Sequence, residues 1–127
     1  MHRLLLLLAA GLVVGACNPA AGPSGTAQEV QITATEFRFQ SSLDTFKAGT
    51  PYRFVVKNAG SVAHEWAVTP RGAGGHSNML VEVPEKDLGA GKTVTRDFTF
   101  PRAGQFEVAC HLPGHYESGM VLAITVS

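Results

Sequence analysis

The stretch Phe106-Glu107-Val108-Ala109-Cys110-His111-Leu112-Pro113-Gly114-His115-Tyr116-Glu117-Ser118-Gly119-Met120-Val121-Leu122-Ala123-Ile124-Thr125-Val126 reads as two strands bracketing a loop. Alternate side chains of an extended chain share a face. Phe106, Val108 and Cys110 therefore lie together, with Glu107 opposed. Met120, Leu122, Ile124 and Val126 lie together on the other strand, with the smaller Ala123 and Thr125 opposed.

The same period of two continues upstream. Val30 and Ile32 alternate with polar neighbours, Phe37 and Phe39 flank Arg38, and Tyr52, Phe54 and Val56 repeat the pattern. Val62 to Val68, Met79 to Val83 and Val94 to Phe100 are further strand candidates. Between them stand turn-forming segments such as Asn58-Ala59-Gly60, Gly89-Ala90-Gly91 and Pro101-Arg102-Ala103-Gly104. Short alternating runs with regular turn signals predict an all-β sandwich or barrel of one domain over residues 28–127. No segment carries helical periodicity over three turns, and Pro70 to Asn78 reads as an irregular Gly-rich loop.

Ten basic and ten acidic residues cancel, so the chain lacks the basic footprint of a nucleic-acid binder. Met1-His2-Arg3 followed by the apolar run Leu4 to Val14 reads as an export signal over residues 1–16. Eleven residues at ~1.5 Å rise do not cross a ~30 Å hydrocarbon core. Val13-Val14-Gly15-Ala16-Cys17 resembles a bacterial lipobox, with Val14 where Leu is usual, and predicts lipidation of Cys17. Residues 17–27, small, polar and turn-forming after Cys17, then read as a flexible tether from a membrane anchor to the domain. With Cys17 lipidated, Cys110 is left as an unpaired thiol in an exported domain, which calls for a reason.

Its neighbours supply one. Cys110, His115 and Met120 are each separated by four residues, and His64 lies upstream among Val62, Trp66 and Val68. A thiolate, two imidazoles and a thioether form a soft donor set that selects copper over magnesium, calcium or manganese. Two imidazoles and a thiolate with a weak axial thioether define a blue-copper electron-transfer site. Met120 alone would be core filler, and His64 alone a core histidine needing a partner; their coincidence with Cys110 and His115 changes both readings. His76 falls in the Gly-rich loop as a surface histidine, and alternation turns His111 away from the site.

The hairpin and the segment Asn58-Ala59-Gly60-Ser61-Val62-Ala63-His64-Glu65-Trp66 resemble the cupredoxin family, with the ligand spacing of auracyanins and rusticyanins. The resemblance covers Gln28 to Ser127 and implies a Greek-key β-sandwich with a single Cu(I)/Cu(II) ion held by His64, Cys110, His115 and Met120. It departs at Glu65, where many members carry an Asn or Ser whose hydrogen bonds tie the ligand loops together. It also implies that His115 is the electron's exit; Val62, Ala63, Leu112 and Pro113 are the candidate apolar patch around it.

The expected function is one-electron transfer between extracytoplasmic redox protein partners, with no substrate bond made or broken, by a monomeric domain anchored to the membrane. The alternative is a copper-binding module for resistance, storage or delivery, which would use the same ligands. A copper enzyme fits poorly, because those resemble fused cupredoxin domains with further ligands. Structural zinc seldom recruits a thioether, and the haem signature Cys-x-x-Cys-His is absent.

Overall fold

The computed structural model describes residues 25–127; the expected signal, Cys17 and most of the tether lie outside that range. Nine strands follow in chain order: β1 Gln28–Thr35, β2 Arg38–Ser41, β3 Thr45–Phe46, β4 Pro51–Asn58, β5 Trp66–Pro70, β6 Val81–Val83, β7 Thr93–Thr99, β8 Gly104–Ala109 and β9 Val121–Val126. One short 3-10 turn, Glu85–Asp87, is the helical element among the described residues. The all-β expectation therefore holds.

The strands form two sheets. One runs β2-β1-β4-β7, the other β3-β9-β8-β5-β6. Both are mixed: β1 pairs parallel with β4 and β3 parallel with β9, the remaining pairs being antiparallel. β4 shows why the sequence chooses this arrangement. Tyr52, Phe54, Val56 and Asn58 are buried at every second position, while Arg53 and Lys57 face water. A strand with one apolar face must bury it against a second sheet.

The buried faces meet in an aromatic cluster. Phe54 lies 5.1 Å from Trp66 and 5.8 Å from Phe46, and Phe46 lies 5.2 Å from Phe100, measured between ring centres. Phe54 belongs to one sheet, while Trp66 starts β5 of the other, so this cluster joins the layers. Replacing Phe54 by Ala is expected to cost about 3–5 kcal/mol, lost transfer energy plus a cavity in a packed interior. Denaturant unfolding measures this; a cost below about 1 kcal/mol would mean the cluster is not the joint between the sheets.

Two strands start later than their sequence pattern indicates. Val62 to Val68 alternates in sequence, yet β5 begins at Trp66, Val62 to Glu65 form a loop, and burial does not alternate: Val62 is exposed while His64 to Thr69 are all buried. The reason lies in local hydrogen bonding. The amide of Asn58 donates to the carbonyls of Val62 (2.7 Å) and Leu88 (2.9 Å), and its oxygen accepts from Gly60 N–H at 2.9 Å. This curls the chain before it can pair. Likewise β6 begins at Val81, because Asn78 adopts a left-handed backbone (φ 65°) at the end of the Gly-rich loop.

Candidate metal centre

Sheet register brings the candidate ligands together. Ala67 of β5 and Val121 of β9 both pair with Ala109 of β8. The chain therefore enters β5 from His64-Glu65, leaves β8 at Cys110 and enters β9 from Met120, all at the same end of one sheet. His64, Cys110 and Met120 stand one or two residues outside their strands, while His115 sits in the middle of the β8–β9 loop, so the sheet supplies rigidity while the loops aim the donors.

The loop from Cys110 to Met120 closes on itself. Cys110 N–H donates to the Met120 carbonyl at 3.1 Å, and Met120 N–H to the His115 carbonyl at 3.1 Å. His115 N–H in turn reaches the Leu112 carbonyl at 3.0 Å. Gly114 (φ 81°) and Gly119 (φ 95°) take left-handed conformations that a side chain would disfavour, which is what lets so short a loop fold back.

Three donor atoms converge. His64, Cys110 and His115 each present one ligand atom, all within 4.8 Å of one another. His64 Nδ1 faces His115 Nδ1 at 3.3 Å, and Cys110 Sγ lies 3.3 Å from His115 Nδ1. His64, Cys110 and Met120 are buried, whereas His115 is partly exposed. Phe37, 40% exposed, packs edge-on against the His115 ring at 4.9 Å. This contact was not legible beforehand: Phe37 sits in the turn between β1 and β2, not on a strand face beside Phe39.

The electrostatics suit a cation. Burial, and then the neighbouring His115, push the His64 imidazole below its ordinary value, keeping it neutral as a ligand must be. Burial pushes the Cys110 thiol up, against N–H donation from Glu65 and Leu112. A thiolate at this depth needs a positive partner, and a thiophilic metal ion is such a partner. Two imidazole nitrogens turned towards a buried thiol, with a thioether residue adjacent in the same loop, fit copper.

Glu65 also has a defined place. Its backbone N–H donates to Cys110 Sγ at 3.3 Å. Its buried carboxylate accepts from His111 Nδ1 at 3.2 Å and, more weakly, from His111 N–H at 3.5 Å. The departure from the usual Asn or Ser therefore still ties the two ligand loops together. His111 turns to Glu65 and away from the candidate ligands, as alternation predicts, but its side chain is only 4% exposed. His76 is 57% exposed, yet not an isolated surface residue: its Nε2 lies 2.8 Å from the other Glu65 oxygen.

Glu36 braces the loop before His64. Its Oε1 accepts from the backbone N–H groups of Ser61 (2.6 Å) and Val62 (3.1 Å). These bonds hold its carboxyl at about 2, well below the ordinary range. A depressed carboxylate gives its full support above the unfolded value of 4.5 and loses it as pH falls towards about 2, so the brace is intact at neutral pH. No sequence signal pointed to Glu36, because 25 residues separate it from Ser61.

A two-sheet sandwich with a His, Cys, His and Met cluster at one end defines a small single-copper protein. Residues 4–123 match the family described as a cupredoxin-like domain, and the chain belongs to that family. A copper-resistant cuproprotein, CopI, of Rubrivivax gelatinosus is 30% identical over 119 residues, covering 83% of this chain and 72% of the relative. Reduced auracyanin from Roseiflexus castenholzii shares the fold at 20% identity and a TM-score of 0.65, over 81% of this chain and 99% of that one. Rusticyanin from Thiobacillus ferrooxidans does so at 14% identity and 0.62, over 80% and 79%.

Proposed function

We propose that this cupredoxin is a one-electron carrier that would hold copper through His64 Nδ1, Cys110 Sγ, His115 Nδ1 and the Met120 thioether. The convergence of the first three donors within 4.8 Å carries this reading. Copper, when bound, supplies one-electron chemistry between Cu(I) and Cu(II). The protein holds the donors in a geometry suited to both states: sheet register fixes the strand ends, Asn58 and Glu36 brace the His64 loop, and Glu65 ties it to the Cys110 loop. On binding, Cys110 gives up its thiol proton. No substrate bond is made or broken, so the protein is not an enzyme. The sequence features at Leu4 to Cys17 support export and a lipid anchor, with the domain at the outer face of the cytoplasmic membrane or in the periplasm.

Partially exposed His115 is the electron's exit. Phe37 against its ring, and Val62 at 44% exposure two residues from His64, supply an apolar rim for a redox partner. Val62→Lys should slow electron exchange with that partner roughly fivefold or more, the size of one ~1 kcal/mol interface contact, while the visible spectrum stays unchanged. Stopped-flow mixing measures this, and equal rates would remove Val62 from the rim.

A second reading, copper handling for resistance or delivery, draws on the name carried by the R. gelatinosus relative. Repeated potentiometric cycling in the presence of a copper(I) chelator separates the two. A carrier returns to its starting spectrum with copper retained. Stoichiometric loss of copper on reduction would favour delivery and overturn the carrier reading.

A further inference from the structure

Beside the copper ligands lies a second group of donors that electron transfer does not use. The Glu65 carboxylate, 5% exposed, holds one imidazole nitrogen against each oxygen: His76 Nε2 at 2.8 Å and His111 Nδ1 at 3.2 Å. Among the described residues, these two histidines are its only ion-pair partners; no Lys or Arg reaches it. A carboxylate this deeply buried calls for a compensating positive charge.

From this geometry we propose that Glu65, His76 and His111 form a second metal site, taking a divalent first-row cation of borderline hardness such as Cu(II) or Zn(II). Imidazole and carboxylate are donors of that class, and two imidazoles with one carboxylate are an established zinc set. At metal–donor distances of about 2.0–2.2 Å, neighbouring donors sit roughly 3 Å apart. Each imidazole nitrogen already stands at about that distance from one Glu65 oxygen, but the two lie on different oxygens, so His76, on its exposed loop, turns inward for all three donors to reach one ion. The His76 and His111 ring centres are 5.5 Å apart with planes at 54°, against 5.2 Å and 65° for His64 and His115 in the first site. A carboxylate stands in the second group where the first has a thiolate, and its donors are spread more widely: among the described residues, three donor atoms come within 4.8 Å of one another at His64, Cys110 and His115.

Entry and support are also in place. His76 is 57% exposed, and a cavity of about 200 Å³ lined by Gly74, Gly75, His111, Tyr116 and Glu117 opens beside it, with room for water ligands. Tyr116 stacks on His111 at 5.7 Å and 12°, and its hydroxyl donates to Glu107 at 3.1 Å, so the His111 ring is held in place. Glu65 links the two sites, its backbone N–H on Cys110 Sγ and its side chain in the second donor set. The hard and borderline donors of this set make it distinct from a Cu(I) thiolate site.

The test uses the full chain in detergent, loaded with one copper and then titrated with Zn²⁺, a spectroscopically silent ion. Calorimetry follows binding, elemental analysis counts bound ions, and the visible band reports on the first site. One zinc per chain is expected with the visible band retained. His76→Ala, a change on an exposed loop, should weaken zinc binding at least tenfold and leave the band unaltered, since even an outer-shell partner is worth about 10–100-fold in affinity. Cys110→Ser, which removes the first site's thiolate, should still bind zinc in a His76-dependent manner, so the second site is tested independently of the copper reading. No zinc uptake by the copper-loaded protein, or equal affinity with and without His76, would overturn the proposal.

Discussion

Cys110→Ser should abolish the intense visible absorption and replace narrow copper hyperfine splitting by the wide splitting of ordinary Cu(II). The argument starts from the donor. Cys110 is fully buried, and burial pushes its thiol up, so metal binding must displace the proton. A thiol permits this, because its ordinary value lies near 8.5 and a coordinating thiol is deprotonated outright. A serine hydroxyl is a much weaker acid and a hard donor, poorly matched to copper. The imidazoles of His64 and His115 would remain, about as close as before, and would hold Cu(II) with loss of the thiolate-to-copper transition. Absorption and paramagnetic resonance spectra check this directly. A variant retaining the intense band would show that Cys110 is not a ligand, and the four-residue assignment would fail with it.

Asn58→Leu is expected to damage both stability and copper affinity, although Asn58 touches no ligand atom. Its side chain is buried and makes three hydrogen bonds, to the Val62 and Leu88 carbonyls and from Gly60 N–H. The Leu88 carbonyl also accepts from His64 N–H at 3.2 Å, so Asn58 and His64 hang from the same oxygen. Leucine nearly conserves the volume but satisfies none of these groups. The Leu88 carbonyl keeps its bond from His64 N–H, while the part-buried Val62 carbonyl and Gly60 N–H lose a partner at about 1 kcal/mol or more each, so the loss should reach about 2 kcal/mol. Release of the loop would also let His64 drift from its partners and lower copper affinity. Denaturant unfolding of the apoprotein and competitive copper titration measure the two effects separately. A stability loss with unchanged affinity would show that Glu36 alone suffices to hold the loop.

Much of the site was legible because it depends on short-range spacing. Cys110, His115 and Met120 share one loop, and strand alternation on either side fixed which way Cys110 and His111 point. The sandwich was legible for the same reason, since period-two burial in β1 and β4 follows directly from residue order. His64 was found by chemistry, as an inward imidazole in need of a partner, but on the wrong element. Val62 to Val68 alternates in sequence only: Asn58 spends the Val62 carbonyl on a side-chain bond, the strand starts at Trp66, and both faces of that strand are buried.

What residue order determined, then, is the β-class, the one-domain architecture and the identity of the soft donors. Tertiary structure decided which groups surround them. Glu36 reaches Ser61 across 25 positions, and Phe37 reaches His115 from a turn in the other sheet. Glu65 meets His111 across 46 and so joins both ligand loops to His76. The physical reason is range. Alternation and turn chemistry act between neighbours along the chain, whereas a carboxylate's partners are set by which strand ends the two sheets bring to the same edge.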